Sequence, residues 1–207
     1  MIEKIKPYFF IIIKLFISLI GTIWNIFSIK KTIDNRNVLD HYKLLDIDEI
    51  RKDLENKRRD GTFAVLMENF EGSLTISTLI RSTNAFNGAC MYYMGRKRID
   101  TRGCVGCQNY TDIIYLSDYK QLAELKNKYT FVALENNIAG CESLYTFKFP
   151  GNPLFIIGSE SKGISKETLE LCEYFVKIDQ VGSVRSLNAA QAGTIVMYEY
   201  NRNKKLQ

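Results

Sequence analysis

The chain has 207 residues, of which 46% are hydrophobic and 25% charged, a composition that is typical of a globular protein and excludes a disordered one. Its 28 basic and 23 acidic side chains give a formal net charge of +5, which permits a nucleic-acid partner without requiring one. Five scattered cysteines suggest no disulfide framework, and a single histidine leaves a zinc site short of ligands. We therefore expect free, mostly buried thiols and no metal site.

The amino terminus carries an apolar run over residues 8–27. About 20 helical residues span a bilayer, so the run predicts a hydrophobic helix within 1–30 that crosses a membrane, lies in its interface or packs against protein. A polar linker over 31–40 would join this helix to one domain over 41–207. The basic residues that follow the run favour a cytoplasmic location for that domain.

From residue 45 onwards, short apolar runs alternate with amphipathic segments. The runs predict buried strands at 63–67, 89–94, 130–135, 154–157 and 174–178. The amphipathic segments predict helices that begin at the Asp46–Glu49 capping box, near Thr75, after a Ser117 cap, at 166–172 and at 186–201. This alternation predicts the α/β class, with a parallel sheet and helices on both of its faces.

A glycine-bearing turn follows the predicted strand 154–157. Ligands of parallel sheets bind where strands end, and glycine there lets the backbone approach a ligand closely. Plain turn chemistry explains such a turn equally well when it stands alone. The stretch 182–192 adds Ser186 and Asn188 at the start of the last helix, where their side chains can satisfy free backbone N–H groups. The pairing of the two stretches favours a ligand pocket.

Three segments, in this order, resemble the SpoU (TrmH-like) branch of the SPOUT RNA methyltransferases. They read Leu-Ile-Arg-Ser-Thr-Asn-Ala-Phe at 79–86, Phe-Ile-Ile-Gly-Ser-Glu-Ser-Lys-Gly-Ile at 155–164 and Ser-Leu-Asn-Ala-Ala-Gln-Ala at 186–192. The resemblance covers roughly residues 42–202. It implies a C-terminal trefoil knot, S-adenosylmethionine as cofactor, a homodimer formed through the knot, and methyl transfer to a ribose 2′-hydroxyl of tRNA or rRNA without a metal ion.

The resemblance also assigns roles to particular residues. Arg81, Thr75 and Asn188 correspond to catalytic positions. The cofactor would contact Leu134, Gly158, Glu160, Gly163, Ile178, Ser186, Leu187 and Asn188, mostly through backbone groups. The resemblance also implies that Arg81 contacts the RNA. Independently of it, the basic segment that contains Arg96, Lys97, Arg98 and Arg102 follows the second strand, so it should lie near the carboxyl edge of the sheet beside Arg81. Its side chains are therefore candidates for RNA phosphate contacts, with a merely solvated loop as the alternative. Tyr110 is a candidate for stacking on a base.

The first motif departs from the family pattern at two positions. Thr75 and Ser77 stand where the family usually has an asparagine and a glycine. Threonine keeps a hydroxyl but lacks the amide that could bond to both the arginine and the RNA. An alternative function is therefore a catalytically impaired knot protein that acts as an RNA-binding or scaffold protein.

Overall fold

A computed structural model of the chain describes residues 19–20, 35–58, 61–68 and 72–205. The chain divides into two compact units, Met1–Leu44 and Leu45–Gln207. In the first unit, a short 3-10 helix is formed by Asp40–Tyr42.

The predicted apolar helix over 8–27 lies outside the described residues, apart from Leu19 and Ile20, which are helical and exposed. No helix in the described part of the chain is both long and apolar enough to cross a membrane.

Five α-helices and seven strands alternate along the described part of the second unit. The helices are α1 (Ile47–Asn56), α2 (Ser73–Ala85), α3 (Tyr119–Glu124), α4 (Lys166–Leu169) and α5 (Ala189–Lys205). Three 3-10 helices are additional to these, at Arg102–Cys104, Cys107–Asn109 and Leu125–Asn127. The strands are β1 (Ala64–Glu68), β2 (Cys90–Met94), β3 (Asp112–Leu116), β4 (Thr130–Leu134), β5 (Glu142–Ser143), β6 (Pro153–Ile157) and β7 (Tyr174–Lys177).

The seven strands form one sheet in the order β3-β2-β1-β6-β4-β7-β5, and every neighbouring pair is parallel. Strands β2 and β3 therefore follow β1 in order towards one edge of the sheet, and the rest of the chain forms strands on the other side of β1. There β6 lies between β1 and β4, and β7 lies beside β4. The predicted parallel α/β sheet is confirmed.

Alternate residues of each central strand belong to opposite faces of the sheet. In β1, Val65 and Met67 join one apolar cluster, whereas Ala64 and Leu66 join another. Helices α2 and α5 contribute to the first cluster, and α3 contributes the fully buried Leu122 to the second. Both faces are covered, as predicted, because strands buried on both sides require apolar residues throughout.

The contact between α2 and α5 depends on a glycine. A Cβ at Gly193 would lie 2.5 Å from both the Ile157 Cδ1 and the Leu79 Cδ2 atoms, so a side chain there would force these two buried side chains to move. The Ser82 and Thr194 hydroxyls join the same two helices at 2.8 Å. This close packing places the start of α5 beside the end of β6.

Local signals predicted most elements but missed some boundaries. The Asp46 capping box at α1 is confirmed. The Ser117 cap is wrong: the helix begins one residue later than predicted, and the Asp118 carboxylate caps α3 by accepting from the Gln121 N–H at 2.9 Å. The last helix begins at Ala189 rather than at residue 186.

Two strands, β3 and β5, were absent from the sequence prediction. Strand β3 has exposed or half-buried residues at four of its five positions, and β5 has only two residues. Pairing with β2 and β7 creates these strands, so their existence depends on tertiary contacts more than on their own composition.

Candidate functional site

Three neighbouring strands end at the same edge of the sheet and define a pocket. Because β6, β4 and β7 are parallel neighbours, the loops that leave their carboxyl ends converge. Together with the start of α5, these loops enclose a cavity of about 610 Å³. This volume is in the range of small-molecule and cofactor sites.

The pocket gathers nearly all of the residues predicted to hold a cofactor. Those that line it are Leu134, Gly158, Glu160, Gly163, Ile178, Ser186 and Leu187. Asn188 does not line the cavity itself, but its side chain bonds to Glu160 at the rim. Sequence reasoning did not identify the further lining residues Asn136, Gln180 and Arg185.

The glycine turn after β6 is shaped by its own backbone. The Gly163 N–H donates to the Ser159 carbonyl at 2.9 Å, and Gly163 has a φ of +65°. A Cβ on Gly158 would lie 2.0 Å from the Gly163 carbonyl carbon and 2.4 Å from the Ile164 nitrogen. The absent side chain of Gly158 therefore makes room for the returning turn, whereas the sequence suggested only that it leaves space for a ligand.

A buried carboxylate fixes the far end of this turn. Glu68, at the end of β1, is fully buried, and its Oε2 atom accepts from the Ser165 N–H at 3.0 Å. The Tyr119 hydroxyl donates to the Glu68 Oε1 atom at 3.3 Å. Sequence reasoning missed Glu68, although an acidic residue that ends an otherwise apolar strand is a signal for a buried hydrogen-bonding role.

Glu160 connects the three sequence motifs. Its Oε1 atom accepts from the Thr75 hydroxyl at 3.1 Å and from the Asn188 side-chain amide at 3.0 Å. Thr75 is buried in the first turn of α2, whereas Glu160 and Asn188 are exposed at the rim of the pocket. The hydroxyl of Thr75 thus links the first motif to the second, from the position where the family resemblance implies an asparagine.

Asn188 uses both ends of its side-chain amide. The Oδ1 atom accepts from the Ala190 and Gln191 N–H groups at 3.0 and 3.3 Å, which confirms the predicted cap by Asn188. Ser186, predicted to share this role, lies three residues before the first residue of the helix. The Nδ2 group donates to Glu160. Capping fixes the orientation of the amide, so the start of α5 and the rim of the pocket are held together by one side chain.

Arg81 is not brought into the pocket within this chain. It is exposed on α2, six residues or about 9 Å along the helix from Thr75, and its side chain makes no hydrogen bond or ion pair to the described residues. Burial, followed by the neighbouring Cys104 thiol, raises the pKa of Cys107 to about 12, while the positive charge of Arg81 acts in the opposite direction. Arg81 therefore lies near the loop that carries Cys107.

The predicted basic segment follows β2, and its members differ in their partners. Arg96, Lys97 and Arg98 are exposed. Arg102 is exposed but binds Asp100, with its Nε atom 2.9 Å from the carboxylate, and these hydrogen bonds lower the pKa of Asp100 to about 2. The charge of Arg102 is thus locally balanced.

Tyr110 does not offer its ring for stacking. Its side chain is 7% exposed and belongs to the start of the loop before β3. The interpretation of Tyr110 as a base-stacking residue is therefore wrong, because burial in the protein leaves no free aromatic face.

A second cavity, of about 580 Å³, lies at the opposite edge of the sheet. The basic residues Arg51 and Arg58 in its lining stabilise the fold through contacts within the protein. Arg51 donates to the Asn109 carbonyl and pairs with Asp112, and Arg58 donates to the Gly88 carbonyl at 2.8 Å.

Within the described residues, no group of three His, Cys, Asp or Glu side chains could hold a metal ion. All five cysteines are free, and Cys90, Cys104 and Cys107 are buried, as predicted.

Comparison with known proteins relates this arrangement to RNA methylases. A protein of Staphylococcus aureus named for the TrmH family of tRNA/rRNA methyltransferases is 27% identical over 173 residues, which cover 79% of this chain and 67% of that protein. The structure of a TrmH/SpoU tRNA modifying enzyme from A. aeolicus has a TM-score of 0.68, with 22% identity over 77% of this chain and 83% of the other.

A third relative has been solved with a ligand. The SpoU methyltransferase AviRb from Streptomyces viridochromogenes, in complex with AdoMet, has a TM-score of 0.63 and 24% identity over 71% of this chain. This chain spans 59% of the length of AviRb. At these identities, the two solved structures establish a shared fold.

The family model of the SpoU rRNA Methylase family matches residues 62–198, which include all three motifs, the Glu160 cluster and the loops of the pocket. This match extends over most of the second unit. The chain therefore belongs to the SpoU rRNA Methylase family.

Proposed function

We propose that the protein transfers a methyl group from S-adenosylmethionine to a ribose 2′-hydroxyl of tRNA or rRNA. The observation that carries this proposal is the position of Glu160, which lines the pocket and binds Thr75 and Asn188 at once. Family membership supports methylation of RNA, and the AdoMet complex of AviRb supports the choice of cofactor.

The residues of the pocket fit S-adenosylmethionine. Gln180 lines the cavity, and its buried Oε1 atom has no hydrogen-bond partner among the described residues, so it can accept from an amino group of a ligand. Ile178 and Leu187 are half-buried and supply apolar walls, and their backbone groups offer polar contacts. When bound, the cofactor supplies an activated methyl group on a sulfonium, which requires no metal ion.

The chain's own residues would hold and orient the substrate. Both hydrogen bonds to Glu160 end on Oε1, so Oε2 remains able to accept a hydrogen bond from a hydroxyl of the ligand or the RNA. Arg81 would bind the phosphate beside the target ribose, because a guanidinium is a strong phosphate ligand and a poor base. Arg96, Lys97 and Arg98 would contact further phosphates.

Two further expectations from the family resemblance belong to this proposal. The C-terminal segment would form a trefoil knot, and two copies of the chain would associate through it. Sedimentation equilibrium of the purified protein tests the second expectation: a mass of twice the chain mass supports the dimer, and a monomer at micromolar concentration contradicts it.

The apolar run over 8–27 would associate with a membrane and leave the methyltransferase domain, 41–207, in the cytoplasm. Its length suits a span. Carbonate extraction of membranes from cells that express the full chain tests this: retention in the pellet supports a span, and release into the soluble fraction contradicts it. A chain that starts at residue 41 is the matched control.

Incubation of the full chain with labelled S-adenosylmethionine and total RNA tests the reaction, followed by mapping of 2′-O-methyl sites. We expect label in RNA at defined riboses. The alternative of an impaired RNA-binding protein would be favoured if cofactor binds but no RNA gains label, and if Thr75→Asn then restores transfer. The contact of Thr75 with Glu160 favours an active enzyme, because the hydroxyl already links the first motif to the second.

A further inference from the structure

Ser77 attaches the basic segment to helix α2. Its side chain is 1% exposed, and its hydroxyl donates to the Asp100 carbonyl at 2.5 Å. The Cys104 thiol, at the end of the same segment, approaches the Ser77 carbonyl at 3.9 Å. The residue at position 77, where the family usually has a glycine, therefore contacts both sides of the turn that ends the basic segment.

Gly103 makes this arrangement possible. A Cβ at position 103 would lie 2.7 Å from the Ser77 Cβ and 3.2 Å from its hydroxyl oxygen. Such distances are too short for two side chains, so the side chain at 77 requires the absence of one at 103. Ser77 and Gly103 form a complementary pair.

The other end of the basic segment is held by the sheet. The Tyr93 hydroxyl donates to the Lys97 carbonyl at 3.0 Å, and the Tyr115 hydroxyl donates to the Gly95 carbonyl at 3.3 Å. Strands β2 and β3 thus fix the beginning of the segment. Ser77 fixes the end of the segment by donating to the Asp100 carbonyl. The carboxylate of Asp100 in turn binds Arg102, which belongs to the same end.

Ser77 and Arg81 are neighbours on one face of α2. Residues four apart on a helix lie on the same side, and the charge of Arg81 acts on Cys107, just beyond the basic segment. The bond from Ser77 therefore holds the segment on the same helix face as Arg81.

We propose that Ser77 is a positioning residue for RNA binding. Its hydroxyl holds the segment 95–104 against α2, so that Arg96, Lys97 and Arg98 form one rigid basic surface with Arg81. This inference rests on the proposed function, since it takes RNA as the ligand of that surface. A rigid surface binds phosphates with less loss of conformational entropy than a free loop.

Trypsin provides a direct test of the attachment, because it cleaves after lysine and arginine and the segment contains Arg96, Lys97, Arg98 and Arg102. In Ser77→Ala, we expect faster cleavage within 96–102 by about 2- to 12-fold, the factor that corresponds to the loss of one hydrogen bond. Ser82→Ala is the matched control, since the Ser82 hydroxyl on the same helix binds Thr194 instead. An unchanged cleavage rate in Ser77→Ala would overturn the proposal.

Fluorescence anisotropy with a labelled RNA measures the consequence for binding. We expect the RNA Kd of Ser77→Ala to rise by about 2- to 12-fold, while the Kd for S-adenosylmethionine stays within 2-fold of the wild-type value. Faster cleavage with an unchanged RNA Kd would also overturn the proposal. Wild-type protein that binds RNA but transfers no methyl group would instead contradict the proposed function and leave the Kd comparison valid.

The complementary pair gives a second, independent test. Gly103→Ala alone should increase both tryptic cleavage and the RNA Kd, because the new Cβ meets Ser77. In a Ser77→Gly background, Gly103→Ala should add little, since the opposing side chain is absent. Equal effects of Gly103→Ala in both backgrounds would contradict the packing of this pair.

Discussion

The pocket and the basic surface lie close to the same edge of the sheet, yet they are built differently. The pocket turn depends on backbone contacts, since the absent side chain of Gly158 admits Gly163. The basic surface depends on side chains, because hydroxyl groups of Ser77, Tyr93 and Tyr115 hold its backbone. The pocket should therefore tolerate few changes at its glycines, whereas the basic surface should respond to the loss of single hydroxyls.

Both departures from the family's first motif occur on the helix that carries the basic surface, and each makes a contact. Thr75 binds Glu160, and Ser77 binds the Asp100 carbonyl. Glu160 belongs to the pocket, so the Thr75 contact is where the two regions meet. The following changes test the contrast between them, from the largest expected effect to the smallest.

Gly158→Ala should have the largest effect. The new Cβ would meet the backbone of residues 163 and 164, which cannot move without deforming the turn. We expect the affinity for S-adenosylmethionine, measured by calorimetry, to fall by more than about 100-fold, with a loss of about 1–3 kcal/mol in the free energy of unfolding. Gly151→Ala is the control, since a Cβ there meets nothing within 4 Å. Wild-type affinity in Gly158→Ala would contradict a pocket shaped by backbone contact.

Glu160→Ala tests the junction of the two regions. Removal of an acceptor of two hydrogen bonds should lower kcat/KM for methyl transfer by about 10- to 150-fold, the range for hydrogen bonds to a charged group. Glu124→Ala, which removes an exposed carboxylate on α3, should leave kcat/KM unchanged.

Thr75→Val separates the contact from the rest of the site. Valine has the shape of threonine without its hydroxyl, so the substitution should lower kcat/KM in the wild-type background and have little further effect in Glu160→Ala. Additive effects of the two substitutions would show that the hydroxyl does not act through Glu160.

Substitutions in the basic surface should have smaller individual effects. Replacement of Arg96, Lys97 and Arg98 by alanine should reduce the slope of log K against log salt by about 2 to 3 if each contacts one phosphate. Arg102→Ala should change the slope by less than about 1, because Asp100 already balances its charge. Measurement of the RNA Kd at several salt concentrations gives the slope for each variant. A loss of slope per charge in Arg102→Ala equal to that in the triple variant would contradict the difference in pairing.

Alkaline pH should destabilise the fold through the thiols of Cys172 and Cys107. Burial raises the pKa of Cys172 and of Cys107 to about 12, above the value of about 8.5 in an unfolded chain. The unfolded state then loses these protons first, so the stabilisation is complete below about pH 8.5 and declines as the pH rises towards 12.

Urea unfolding between pH 9 and 11 measures this decline. In Cys107→Ala, the fall of the free energy of unfolding should be shallower than in wild type by at most about 1.4 kcal/mol per pH unit. Between pH 6 and 8 the two proteins should show the same pH dependence. A parallel decline above pH 9 would indicate that Cys107 does not titrate on unfolding.

The accuracy of the sequence prediction varied with the kind of signal. Apolar runs predicted β1, β2, β4 and β6 because strands buried on both faces need apolar residues throughout. The run at 174–178 also predicted β7, although three of the four residues of that strand are exposed or half-buried. Edge strand β3 has an alternating pattern with exposed positions, so its pairing with β2 was visible only in the fold.

Within the site, the motifs predicted which loops form the pocket but not which side chains meet. Gly158, Ile178 and Leu187 do line one cavity, as expected. The contact between Thr75 and Glu160 joins residues 85 positions apart, and no local pattern could indicate it. The role of Glu68 and the burial of Tyr110 likewise depend on distant residues.

The amino-acid sequence by itself determined the α/β class, the family and the three segments that build the pocket, because apolar periodicity and glycine turns are local properties of the chain. Only the tertiary structure decided that Thr75 contacts Glu160 at the pocket and that Ser77 contacts Asp100 in the basic segment. Those contacts depend on which distant groups lie within hydrogen-bond distance, and that is set by the order of the strands and the packing of α2 against the sheet.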